Sequence, residues 1–197
     1  MNHPTAAALL AASLLCVAPD ARGQDTPLLD VEDVTCAAPA LRVTRPSEAW
    51  RFVDLAAMRA RAEQTGADTR GYAVLRARLW NGSARADVFV RAWADPVERE
   101  QPPDPAALIL EVLEPVRASF AEGAKVNRPK GVRVGGRPGA LVSLAGALAA
   151  GGEHAVALAA AFRPEDRTVL TVALECRPEQ LKKLTKELKA LLKKIRF

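Results

Sequence analysis

Two alternating runs flank an Asn-Gly step near the middle of the chain. Across residues 71–96, GYAVLRARLW-NG-SARADVFVRAWADP, apolar or small side chains fill every second position on both sides of Asn81-Gly82. Period-2 alternation marks half-buried strands, and Asn-Gly tolerates the positive φ of a tight two-residue turn, so the pattern predicts a β-hairpin. A loop closed by Asn81-Gly82 pairs Ala73, Leu75, Ala77 and Leu79 with Val90, Val88, Ala86 and Ala84 on a core-facing surface. The other face then carries Tyr72, Arg76, Arg78, Trp80, Arg85, Asp87, Phe89, Arg91 and Trp93.

The same reading extends along the chain. ALRVT (40–44) is a short strand stopped by Arg45-Pro46, and Trp50 and Phe52 share one face of the next. LAAMRARAEQTG (55–66) has the spacing of a short helix with Gly66 at its C-terminal cap. Residues 106–123 have helical spacing, and Pro115 is expected to break or kink that helix near Glu114. Gly135-Gly136 marks a second hairpin turn, with Gly131 and Gly139 as irregular positions. Residues 151–176 hold two strands joined at Pro164-Glu165-Asp166, with Leu170, Val172, Leu174 and Cys176 on one face. Tight turns between strands force antiparallel pairing, and helices between them give an α+β arrangement, an antiparallel β-sheet with helices packed on its faces.

The last 21 residues, RPEQLKKLTKELKALLKKIRF, form an amphipathic C-terminal helix. Leu181, Leu184, Leu188, Leu191, Leu192 and Ile195 recur at spacings of three and four, and lysines fill the rest of its surface. Pro178 suits the first turn, and Glu179 meets the positive end of the helix dipole. This segment holds eight of the 28 basic residues and two of the 23 acidic ones, leaving 20 basic against 21 acidic elsewhere. The basicity is therefore local to one helix, and a nucleic-acid-binding groove is not expected. The lysines are read as the solvated back of a docked helix, with contact to an anionic membrane surface as the alternative.

At the other end, Ala6 to Ala18 is an apolar run broken only by Ser13, too short to span a bilayer. Followed by Ala21-Arg22-Gly23, it reads as a signal peptide over 1–23 with cleavage before Gln24. Residues 24–40 are a lead-in segment and 41–197 a single domain. Hydrophobic residues make up 49% of the 197-residue chain and charged residues 26%, a globular composition. In an exported chain, the remaining cysteines, Cys36 and Cys176, are expected to form a disulfide stapling the lead-in to the sheet.

Candidate chemistry is sparse. His154 lies in a strand pattern without a spaced nucleophile, and one histidine with two distant cysteines and scattered carboxylates makes no metal site. Gly135-Gly136-Arg137-Pro138-Gly139 leads into a strand and lacks the Lys-Ser/Thr pair of a phosphate-binding loop. No catalytic residue, cofactor or metal is expected, and an exported enzyme with an unrecognised site is the alternative. Guanidinium groups near aromatic rings make an adaptable, weakly polar surface, so the candidate binding face is the hairpin surface of Tyr72, Arg76, Arg78, Trp80, Arg91 and Trp93.

The order of elements adds a resemblance. A strand with the Trp50-Arg51-Phe52 step, a hairpin, a helix and a strand entered through Val134-Gly135-Gly136-Arg137-Pro138-Gly139 precede two long strands and a final helix ending Arg196-Phe197. Over residues 40–197 this resembles the PsbP-like and DcrB-like exported proteins. That resemblance implies an α/β/α sandwich serving as a non-catalytic binding or structural module of a bacterial-type envelope, secreted or periplasmic, with a protein or envelope component as partner.

Overall fold

A computed structural model describes residues 28–37, 40–57, 60, 75–81, 84–95 and 101–196. The signal peptide expected over 1–23 lies outside them, as does most of the helix expected over 55–66, of which Leu55, Ala56, Ala57 and Ala60 are helical.

The C-terminal half supplies the centre of the sheet. Strands β8 (Lys130–Val134) and β9 (Arg137–Ala147) meet at Val134↔Arg137. Between them Gly135 and Gly136 adopt φ of 60° and 83°, the paired positive values that the Gly-Gly turn signal requires. β10 (Glu153–Arg163) and β11 (Thr168–Cys176) follow as the long antiparallel pair expected. Their near-continuous apolar runs reflect burial on both faces. Val156, Leu158 and Ala160 of β10 belong to one hydrophobic cluster, and Ala155, Ala157, Ala159 and Ala161 to the other.

Each cluster has its own cover. On one face lies α1 (Pro105–Arg117), which buries Leu108, Ile109, Val112, Leu113 and Val116. Asp104 caps it, accepting a hydrogen bond from Ala107 N at 2.9 Å, and Pro105 fills the first position. The helix runs through Pro115 and ends two residues later, so the break expected near Glu114 does not occur. Proline this close to the C-terminus disturbs only the final turn.

On the opposite face lies α2 (Leu181–Leu192), entered through a short 3-10 turn at Pro178–Gln180. Leu184, Leu188, Leu191 and Leu192 are buried against the alanines of β10 and the Leu170, Val172, Leu174 row of β11. Small alanines let the helix sit close to the sheet.

Among the described residues, the remaining strands extend the sheet to nine. β4 (Trp50–Val53), β5 (Leu75–Asn81) and β6 (Ala84–Ala94) give the order β1-β4-β5-β6-β11-β10-β9-β7, with β8 also on β9. β1 is Leu28–Leu29 and β7 is Lys125–Val126. A second, three-stranded sheet, absent from the sequence reading, joins β2 (Asp33–Ala37), β3 (Ala40–Thr44) and β12 (Ile195–Arg196). The segment read as a lead-in over 24–40 thus supplies β1 and β2. Ile195, assigned by spacing to the helical stripe, is instead buried in a strand opposite Val43. Backbone bonds lock this junction: Thr44 N donates to Lys194 O at 3.2 Å and Gly135 N to Leu192 O at 3.4 Å.

Candidate functional site

The hairpin forms, with a register two residues from the expected one. Leu75 pairs with Val90, Ala77 with Val88 and Asn81 with Ala84, which leaves residues 82 and 83 between the strands. A shift of two exchanges partners and preserves faces, so the hydrophobic pattern cannot distinguish the two registers. The core face is as read: Ala77, Ala86, Val88 and Val90 are buried beside Trp50 and Phe52.

The opposite face differs from the open Arg/aromatic surface expected. Phe89 is buried, and Arg91 is only 8% exposed. The two lie at i and i+2 on β6, and the Arg91 Cζ sits 5.3 Å from the Phe89 ring centroid, a cation–π geometry. Loss of solvent pushes the Arg91 guanidinium down to about 10, opposed by the attraction of Glu175. Trp93 is half-buried and packs against the α1 cluster. Arg91 and Trp93 are therefore packing elements. Arg76 stands opposite Phe89 and Arg78 opposite Asp87 in the register. Tyr72 and the side chains of Arg76, Arg78 and Trp80 lie outside the described residues.

A polar row crosses the sheet from this point. Asp87 pairs in register with Glu175, whose Oε2 lies 3.6 Å from His154 Nε2. The Phe120 ring is 6.1 Å from the imidazole. Sequence reading treated His154 alone. Its carboxylate neighbour is 21 residues away on the adjacent strand, and only the β10–β11 register brings them together.

The cysteines also depart from expectation. Cys176 ends β11 buried, and Cys36 is half-buried against the same cluster, yet no disulfide joins them. Pairing of β2 with β3 holds the N-terminal segment in place of a covalent staple. Burial pushes the Cys176 thiol up to about 12, with Glu179 and Glu175 adding to the effect. Such a thiol is a poor partner for disulfide exchange.

A cleft of about 570 Å³ opens between the N-terminus of α1 and the β8–β9 hairpin. Asp104, Pro105 and Ala106 form one wall, and Lys130, Arg133 and Gly139 stand on the other. Asp104 is committed to its cap, and the Arg133 guanidinium donates to Gly136 O at 2.9 Å. Sequence reading missed this cleft because its walls come from three separated segments. Among the described residues, no group of three His, Cys, Asp or Glu gathers to hold a metal, and no helix is long and apolar enough to cross a membrane.

An antiparallel sheet covered on both faces by helices defines an α/β/α sandwich. No protein-family model and no curated protein sequence matches the chain. Several solved structures share the fold, three of them as follows. LpqN of Mycobacterium tuberculosis, described as involved in cell envelope biogenesis, superposes with a TM-score of 0.53 at 9% identity, covering 79% of this chain and 82% of its own. Cyanobacterial PsbP (CyanoP) from Synechocystis gives 0.50 at 8% identity, covering 88% and 94%. The Saccharomyces cerevisiae Ran-binding protein Mog1p gives 0.52 at 10%, covering 87% and 96%. The likeness is one of fold, and the fold is PsbP-like.

Proposed function

We propose that this protein is an exported, non-catalytic binding or structural module of a cell envelope, secreted or periplasmic, with a protein or envelope component as its partner. The observation that carries the reading is the lining of the described cleft. Its single carboxylate already caps α1, and around it stand two cations and Pro, Gly, Ala and Val residues. That set can hold a partner but offers no nucleophile–base pair. The polar row on the sheet supports the same view, since Arg91 and Phe89 are engaged with each other and His154 with Glu175. The envelope setting draws on the apolar run at Ala6–Ala18 and on the fold shared with LpqN. No cofactor or nucleic acid enters this function.

The test is location combined with contact. Expressed from its full sequence, the protein should fractionate outside the cytoplasm. Photo-crosslinkers at positions 130 and 133 should there capture one recurrent envelope component. A cytoplasmic protein, or a turnover activity abolished by His154→Ala, refutes the proposal.

A further inference from the structure

The outer face of α2 is a row of cations with no structural partner. Lys182, Lys186, Lys189 and Lys193 follow one another at spacings of four, three and four, opposite the buried row of Leu184, Leu188 and Leu191. All four are exposed, as are Lys183, Lys194 and the flanking Arg177 and Arg196. Neighbouring like charges at helical spacing cost stability, and none of the four forms an ion pair among the described residues. The fold does not need this row.

We infer that the row is a docking surface for an anionic lipid bilayer, with α2 held between membrane and sheet. The geometry selects this partner. From Lys182 to Lys193 the row runs about 16 Å at 1.5 Å per residue, along a face bordered by the half-buried Thr185 and Ala190. A protein interface needs aromatic or apolar anchors, and lysine is depleted in interface cores. A nucleic-acid surface pairs cations with stacking aromatics, which this face lacks. A bilayer surface requires charge alone. Because Leu184, Leu188, Leu191 and Leu192 are committed to the core, the helix cannot insert as free amphipathic helices do. The contact is therefore electrostatic, shallow and reversible by salt.

This deepens the envelope-module reading by naming a surface, and the vesicle assay is independent of cell fractionation, so either can fail alone. Each lysine near an anionic surface contributes about a fivefold factor in partitioning. The full chain should co-sediment with vesicles one-third phosphatidylglycerol and be released by 1 M salt, where the Debye length is about 3 Å. The variant K182Q/K186Q/K189Q should lose about 100-fold in salt-reversible binding while its melting temperature holds or rises. A variant with the same charge change elsewhere, R117Q/K125Q/R128Q, should bind like the parent. Equal losses in both variants, unchanged binding by the α2 variant, or salt-insensitive binding to phosphatidylcholine alone would overturn the inference.

Discussion

Replacing Leu188 by alanine tests whether α2 belongs to the cooperative fold. Leu188 is fully buried in the cluster that joins α2 to β10 and β11. Removing about three methylene equivalents costs roughly 2.4 kcal/mol in transfer free energy. The facing alanines, Ala155, Ala157 and Ala159, have fixed backbones and short side chains, so the void collapses little and a cavity cost of about 1 kcal/mol is added. The expected loss is about 3–4 kcal/mol, a large share of an ordinary domain's 5–15 kcal/mol. In urea, with a slope of about 2 kcal/mol/M, the midpoint should fall by roughly 1.5–2 M at unchanged slope. Lys186→Gln, one turn away on the exposed face, should stay within about 0.5 kcal/mol. A midpoint shift below about 0.5 M for Leu188→Ala would mean that the helix melts separately from the sheet.

Two further outcomes follow from close packing. At Gly139 an added Cβ would lie 2.4 Å from the Ala160 carbonyl oxygen, whereas at Gly131 it would meet open space. Gly139→Ala should therefore cost about 1–3 kcal/mol by thermal or urea unfolding and Gly131→Ala almost nothing; equal effects would refute the close approach of β9 to β10. In the folded protein at pH 8, an alkylating reagent should modify half-buried Cys36 faster than Cys176, as read by mass mapping; the reverse order would contradict the burial of Cys176. Its raised pKa also sets a sign. Between its ordinary value near 9 and about 12 the folded state holds the proton that the unfolded chain has lost, so this thiol's contribution to stability declines as pH rises through that window.

The legible parts of this fold were those with long periods. Eleven residues of β10, nine of β11 and the leucine row of α2 each repeat often enough to declare a face. The small sheet escaped because β12 has two residues and β2 five, and neither repeats long enough to stand apart from a loop or a helix end. Hairpin faces were legible and register was not, because a two-residue slip leaves every face unchanged. At Arg91 and Trp93 the binding face was over-read for a related reason. Alternation assigns Arg91 and Trp93 to the side away from the core, but α1 and the breadth of the sheet give that side a hydrophobic cluster of its own. The Glu175–His154 contact and the cleft at Asp104 depend on segments far apart in sequence, which no local pattern reports.

The pairing of β12 with β3 has a consequence for the order of events after synthesis. Ile195 and Arg196, at the end of the chain, complete a sheet with Val43 and Arg42, near its beginning. β6 likewise waits for β11, some eighty residues later. Contacts of such long range form late and slowly. Until residues 168–196 have left the ribosome, β6 lacks β11 and β3 lacks β12, while β2–β3 and β4–β5–β6 can already pair. The N-terminal strands can thus assemble first as a partial sheet whose exposed edges carry unpaired backbone groups until β11 and β12 cover them.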